Sequence, residues 1–233
     1  MSSPSGGLLL MGALEGEVRL IRERMTGVTP ETRGPFSIYR GRFLDRPAVL
    51  ALTGTGKVLA AALTQYLIDR DEPRGILFTG IAGSLNPLYG PGDLILARDC
   101  VQYDLDVSAL GVPAGQVPGT EYRFLPAHGP YLEAARGFVP PAGTLHVGRI
   151  LTGDRFVTRK NRSTVPAELE GDAVEMEGAA AALIARIAGV PFLLVRTVSD
   201  GADGKPPGGL RAVLETAARQ HLAFLEYLIP RLD

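Results

Sequence analysis

The stretch that decides the fold is residues 173–200, AVEMEGAAAALIARIAGVPFLLVRTVSD. It opens on a short extended run, passes into an alanine-rich helical segment over 178–188, and ends in the apolar run PFLLVRTVSD (191–200). That last run is continuously apolar for most of its length and does not alternate, which is the pattern of a strand covered on both faces. Strand, helix and strand in this order form the repeating unit of a sheet held between helical layers. Charged residues nevertheless stand at the ends and inside the strands of this core-building stretch: Glu175, Glu177, Arg196 and Asp200. Buried charge is costly unless it is paired or used.

Outward from this stretch the same grammar continues. GLLLMGA (7–13) reads as a buried strand, and EGEVRLIRERM (15–25) as a helix with an apolar stripe at Val18, Leu20, Ile21 and Met25. FSIYRGRF (36–43) and PAVLALTG (47–54) read as a paired β unit, and GKVLAAALTQYLIDR (56–70) as a helix closed before Pro73. Strands are expected at GILFTG (75–80), GDLILARDCVQY (92–103) and TLHVGRILTG (144–153), with a short helix at 129–138 and a long amphipathic one at 210–229. The expected fold class is α/β, with a mainly parallel or mixed sheet between helical layers. One domain is expected over residues 8–233, after a polar, flexible segment at 1–7.

The totals exclude several function classes. With 24 basic and 25 acidic residues among 233, the net charge is −1, so no global field draws the chain to nucleic acid or anionic lipid. One cysteine, Cys100, rules out an internal disulfide framework and fits a reducing cytoplasm, where it reads as a small buried hydrophobe. The run LLLMGAL is too short for a membrane span and lacks the charged lead of a signal peptide. A soluble cytoplasmic protein is expected.

In sheets of this kind ligands bind beyond the carboxyl ends of the strands. Six strand ends carry glycine, hydroxyl or charge: Gly12 to Glu17, TGTGK (53–57), TGIAGS (79–84), GDRF (153–156), EMEG (175–178), and Arg196 with Ser199 and Asp200. A convergent small-molecule site is expected there, with ordinary polar turns as the alternative. TGTGK is not a P-loop, because its spacing is wrong and Val58 follows the lysine. It reads as a strand-to-helix turn or as a source of backbone N–H groups for a ligand. TGIAGS reads as a tight turn that permits close approach. No GxSxG elbow is present, and His128, His146 and His221 have no ligand spacing, so no metal is expected and the histidines read as core or surface residues. Lys57 and Arg155 read as surface charge.

Chemistry then rests on carboxylates. Asp200 ends an apolar strand, where desolvation raises a carboxyl pKa and suits it to donate a proton; a turn or helix N-cap role is the alternative. Glu177 precedes a helix whose dipole favours its anion, as a clamp for sugar hydroxyls or as a simple helix-start charge. Arg196 needs a buried carboxylate partner, for which Glu175, Glu177 and Glu17 all qualify.

The segments GALEGEV (12–18), TGTGKVLAA (53–61), TGIAGSL (79–85), YDLDVSALG with GQVPG (103–119), GDRFV (153–157), AVEMEGAA (173–180) and VRTVSDGAD (195–203) stand in an order that resembles the nucleoside phosphorylase superfamily. They look most like the 5′-methylthioadenosine/S-adenosylhomocysteine nucleosidases, over roughly residues 8–228. The resemblance implies a three-layer α/β/α sandwich around a mixed, partly barrel-like sheet, a homodimer, and hydrolysis of the N9–C1′ bond without metal or cofactor. It implies that Asp200 protonates adenine N7, that Glu17, supported by Arg196, positions the water, and that Glu177 binds the ribose hydroxyls. Met176 packs on the sugar, Phe156 stacks on adenine, the Val157 backbone reads the adenine edge, and Ser199 orients Asp200. Ile81, Ala82, Gly83, Glu175 and Leu210 complete the implied substrate site. Ile81 replaces a serine of the pattern, which leaves Ser84 or Ser199 to support Asp200. Leu210 stands where relatives carry phenylalanine, near the 5′ substituent. An aminodeoxyfutalosine-type nucleosidase, a phosphorylase and a non-catalytic nucleoside-binding protein are the alternatives. A phosphorylase would need arginines at the glycine loops, where this chain has glutamate and isoleucine.

Overall fold

The computed structural model describes residues 6–205 and 208–232. In chain order the elements are β1 (Leu8–Gly12), α1 (Glu15–Arg24), β2 (Thr26–Arg33), β3 (Phe36–Phe43), β4 (Arg46–Leu52), α2 (Lys57–Asp71) and β5 (Gly75–Ser84). They continue with β6 (Leu94–Gln102), β7 (Leu125–Pro126), α3 (Gly129–Ala135), β8 (Leu145–Thr152), β9 (Ala173–Glu175), α4 (Gly178–Ala188), β10 (Phe192–Asp200) and α5 (Gly209–Leu228). The polar β2 and the two-residue β7 were not legible as strands; β2 is exposed along much of its length and carries no apolar alternation.

Side chains of β1 alternate between two cores. Leu8 and Leu10 pack with Val18 and Ile21 of α1 and Phe224, Leu225 and Leu228 of α5. Leu9 and Met11 pack with Leu63 and Leu67 of α2 and with the alanines of α4. Both faces of the strand are therefore covered, which is why its sequence reads as a continuous apolar run. Each such leucine contributes about 1.5–3 kcal/mol through burial. The result is three layers: α2 and α4, the sheet, and α1, α3 and α5.

The sheet runs β10-β6-β8-β9-β5-β1-β4-β3-β2, and β10 also pairs with β5. That extra pairing closes β5, β9, β8, β6 and β10 into a barrel. The other strands extend the sheet from β5 through β1. β5 serves both parts: Gly75–Phe78 pair with β1, and Gly83–Ser84 pair with β9. TGIAGS is thus not the tight turn expected of it but the second half of β5, carried into the barrel wall. β3 and β4 form the expected antiparallel pair.

Residues 1–5 of the expected flexible start lie outside the described residues, as do Pro206 and Pro207 of the GKPPGGL segment. Gly7 is fixed, its carbonyl accepting the Arg74 N–H at 3.1 Å. No helix among the described residues is long and apolar enough to cross a membrane.

Candidate active site

Arg196 lies in the middle of β10 and is 1% exposed. Its Nη2 donates to Glu175 Oε2 at 2.6 Å, and its guanidinium lies over the Phe78 ring at 4.5 Å. Of the three carboxylates that qualified as its partner, the fold selects Glu175. That carboxylate also accepts the N–H groups of Glu177 at 3.1 Å and Gly178 at 2.8 Å, and the Thr152 hydroxyl. The Gly178 N–H opens α4, so Glu175, not Glu177, occupies the positive end of that helix. Glu175 borders the cavity as expected of a substrate-site residue. Both of its oxygens are engaged by protein donors, and it fixes the turn that carries Met176 and Glu177.

Glu177 turns the other way and accepts the Gly56 N–H at 2.8 Å. This resolves the open reading of TGTGK in favour of a turn whose backbone serves the site. Burial, reinforced by the charge of Glu175, raises the Glu177 carboxyl to about 8, against the pull of Arg196 and the Gly56 N–H. The expectation that the helix dipole keeps Glu177 ionised is corrected: the dipole acts on Glu175, and desolvation governs Glu177. A carboxyl raised in the folded state binds protons that the unfolded chain has released, so stability falls as pH rises toward the folded pKa. The thermal midpoint should therefore drop by about 3–6 °C, or about 1–2 kcal/mol, between pH 6.5 and pH 8. Glu177→Gln should flatten that drop in a calorimetric pH series.

Glu17 sits in the first turn of α1, where a glutamate side chain reaches back to the amides preceding the helix. Its Oε2 accepts the N–H groups of Ala13 and Leu14, each at 2.8 Å, and its Oε1 accepts the Ile81 N–H at 3.0 Å. Burial raises its carboxyl, opposed first by the charge of Arg196 and then by these N–H groups. Arg196 supports Glu17 through this field; its ion pair is with Glu175. Gly80 makes the approach possible, since a Cβ there would lie 2.9 Å from Arg196 Nη1 and 3.1 Å from Glu17 Oε1.

Asp200 ends β10 beside Gly83, where a Cβ would come within 3.1 Å of its Oδ1 and 2.9 Å of Ala202 Cα. Burial raises the Asp200 carboxyl and the charge of Asp203 adds to this, while the N–H groups of Ala202 and Asp203 and the Ser199 hydroxyl restrain it. The one Ser199 hydroxyl proton also has the Ala82 carbonyl within reach at 3.1 Å. Ser84 is spent on the Asn86 carbonyl at 2.7 Å, so of the two serines offered to support Asp200, Ser199 is in place and Ser84 is not.

All these groups face one cavity of about 260 Å³. Its wall includes every residue that the sequence singled out except Arg196, which stands behind Glu175. Val157 is buried, and Phe156 and Leu210 stand at the mouth, 66% and 52% exposed. The wall also includes Ala13, Leu14, Thr55 and Arg155, which the sequence did not mark as binding residues. Ala13 and Leu14 act through main-chain N–H groups, which carry no residue-type signal. Arg155, read as surface charge, is exposed and still borders the cavity. Lys57, at the start of α2, pairs with Asp104 at 2.6 Å. Among the described residues no group of three or more His, Cys, Asp or Glu is arranged to hold a metal ion.

The sequence model of the phosphorylase superfamily matches residues 8–230. The chain is 34% identical over 216 residues to the 5′-methylthioadenosine/S-adenosylhomocysteine nucleosidase of Pseudoalteromonas translucida, covering 90% of each chain. It superposes with a TM-score of 0.89 on the Neisseria meningitidis nucleosidase of the same name in complex with methylthio-immucillin-A, at 33% identity and covering 97% of this chain and 100% of that one. Futalosine hydrolase of Helicobacter pylori is similar at a TM-score of 0.86 and 29% identity, covering 97% of this chain and 98% of that one. The chain belongs to the phosphorylase superfamily, and within it to the 5′-methylthioadenosine/S-adenosylhomocysteine nucleosidases.

Proposed function

We propose that this protein hydrolyses the N-glycosidic bond of 5′-methylthioadenosine and S-adenosylhomocysteine, releasing adenine and a 5-thioribose. The observation that carries this reading is the arrangement of Glu17, Glu177 and Asp200 on one cavity, each with its carboxyl raised by burial. Asp200 holds a proton and gives it to adenine N7 as the C1′–N9 bond breaks, so the base departs neutral. Water adds to C1′ and its proton passes to Glu17, which the Ala13, Leu14 and Ile81 N–H groups aim into the cavity.

The sugar passes through a cationic, oxocarbenium-like state, as in glycoside cleavage generally. Positive charge at C1′ favours the anion of Glu17, and this stabilisation appears only as the bond breaks. Glu177 takes the ribose hydroxyls and Met176 packs on the sugar. Phe156 closes over the base and the Val157 main chain meets its polar edge.

The same groups oppose phosphorolysis. Glu17, Glu175 and Glu177 surround the sugar end, where a phosphate dianion would meet three carboxyls, and the Arg196 guanidinium is committed to Glu175. Beyond Leu210 a groove of about 590 Å³, lined by Gly16, Arg19 and Leu214, gives a long 5′ substituent a way out. The reading carries a single nucleosidase domain over residues 8–233, a cytoplasmic location and a homodimer.

The test is adenine release from each nucleoside in phosphate-free buffer and with added phosphate. Equal release with free 5-thioribose is expected. Release only with phosphate, as a ribose 1-phosphate, would make the protein a phosphorylase. Release from neither nucleoside would move the assignment to another 5′ group, such as that of aminodeoxyfutalosine.

A further inference from the structure

His221, on α5, is 0% exposed and takes no part in the reaction described above. Its Nδ1 lies 3.3 Å from the main-chain carbonyl of Glu17, and its Nε2 lies 3.1 Å from Thr197 Oγ1. The ring also reaches the main chain of Gly80. One imidazole therefore touches α1, β5 and β10, the three elements that hold Glu17, its Ile81 donor, and Arg196 with Asp200.

A hydrogen bond to Glu17 requires one tautomer. A carbonyl only accepts, so Nδ1 carries the proton directed at Glu17. Gln220 gives its two amide protons to the carbonyls of Gly92 at 2.6 Å and Ala142 at 2.8 Å, which leaves its oxygen 2.9 Å from Thr197 Oγ1. The Thr197 hydroxyl has one proton, given to Gln220 Oε1 or to His221 Nε2. Burial, together with the charge of Arg196, lowers the imidazole to about 4, so the ring is neutral and has one proton to place.

We propose that His221 is a positioning residue for the hydrolysis: its Nδ1–H pins the main chain of Glu17 to the strand that carries Arg196 and Asp200. The proposal rests on the reading of Glu17 as the group that aligns the water. Of the three N–H groups that hold the Glu17 carboxylate, those of Ala13 and Leu14 precede the same helix and move with it. Only Ile81 ties the carboxylate to the sheet. The His221 bond is the second tie, made at the main chain. Loss of it frees the first turn of α1 to shift, and a displacement near 1 Å at a reacting group costs on the order of 100-fold in rate. Phe156, Val157 and Glu177 lie on other elements and keep their places, so the loss falls on kcat and not on KM.

Two variants separate the two ring nitrogens. His221→Asn presents an amide nitrogen near the place of Nδ1, whereas His221→Gln presents one near Nε2. With 5′-methylthioadenosine, His221→Gln and His221→Leu should lower kcat by about 10–100-fold with KM changed less than about threefold, and His221→Asn should recover most of the rate. Equal kcat in the Asn and Gln variants, a loss confined to KM, or a loss that tracks the fall in thermal midpoint would overturn the proposal. If His221→Leu does not fold, the Asn and Gln pair decides alone. Hydrogen exchange at the Ala13 and Leu14 amides reads the same contact without turnover: it should quicken in His221→Gln and stay near wild type in His221→Asn. A wild-type protein that releases no adenine would defeat the assigned reaction, and the exchange comparison would still judge the contact.

Discussion

Replacing Asp200 by asparagine should lower adenine release by about 10²–10⁴-fold, the range that general acid catalysis supplies. The amide has the size of the carboxyl and keeps an acceptor for the Ala202 N–H, but it has no proton to give to N7. The fold should survive. Burial raises the Asp200 carboxyl, so ionising it in place is unfavourable, and a neutral isostere removes that cost. The expected result is a thermal midpoint unchanged or slightly higher, with kcat reduced and KM little altered. Steady-state kinetics and a melting curve on one preparation check both parts. A variant that works at the wild-type rate would remove Asp200 from the mechanism.

The second large effect is on stability. Arg196→Met should cost about 3–5 kcal/mol, the penalty for removing one partner of a buried ion pair. The pair is 2.6 Å long and both side chains are almost wholly buried. Glu175 would keep its N–H partners and the Thr152 hydroxyl, but its charge would be unopposed. For a chain of this length the midpoint should fall by about 6–20 °C. Chemistry should suffer in a particular direction. Arg196 lowers the Glu17 carboxyl, so its loss moves Glu17 further up and shifts the acid limb of the pH–rate profile to higher pH. Adding Glu175→Gln should restore part of the lost stability, because the stranded charge goes with it. A melting curve for Arg196→Met within a degree or two of wild type would show that the pair does not support the core.

Much of this fold is legible because β1, β5 and β10 are buried on both faces and so spell continuous apolar runs. Their polar ends announce the site for the same reason, since a charge at the end of such a run has little water around it. The barrel closure was less legible. β5 bends through glycines that read equally well as a turn, and only pairing to β9 and β10 decides between the two. The division of labour between Glu175 and Glu177 was also hidden. Two carboxylates two residues apart look alike in a sequence, and what separates them is which way each side chain turns, toward Arg196 or toward Gly56. The place of His221 was invisible, because it depends on where α5 crosses the first turn of α1.

The three amides gathered by Glu17 have an evolutionary reading. Without that carboxylate the N–H groups of Ala13, Leu14 and Ile81 would lose the acceptor that gathers them. Selection for heat resistance alone would therefore retain a residue whose other service is to the reaction. A descendant of this chain that had lost its activity would still be expected to keep Glu17, so the presence of that glutamate in a relative is weaker proof of turnover than the presence of Asp200.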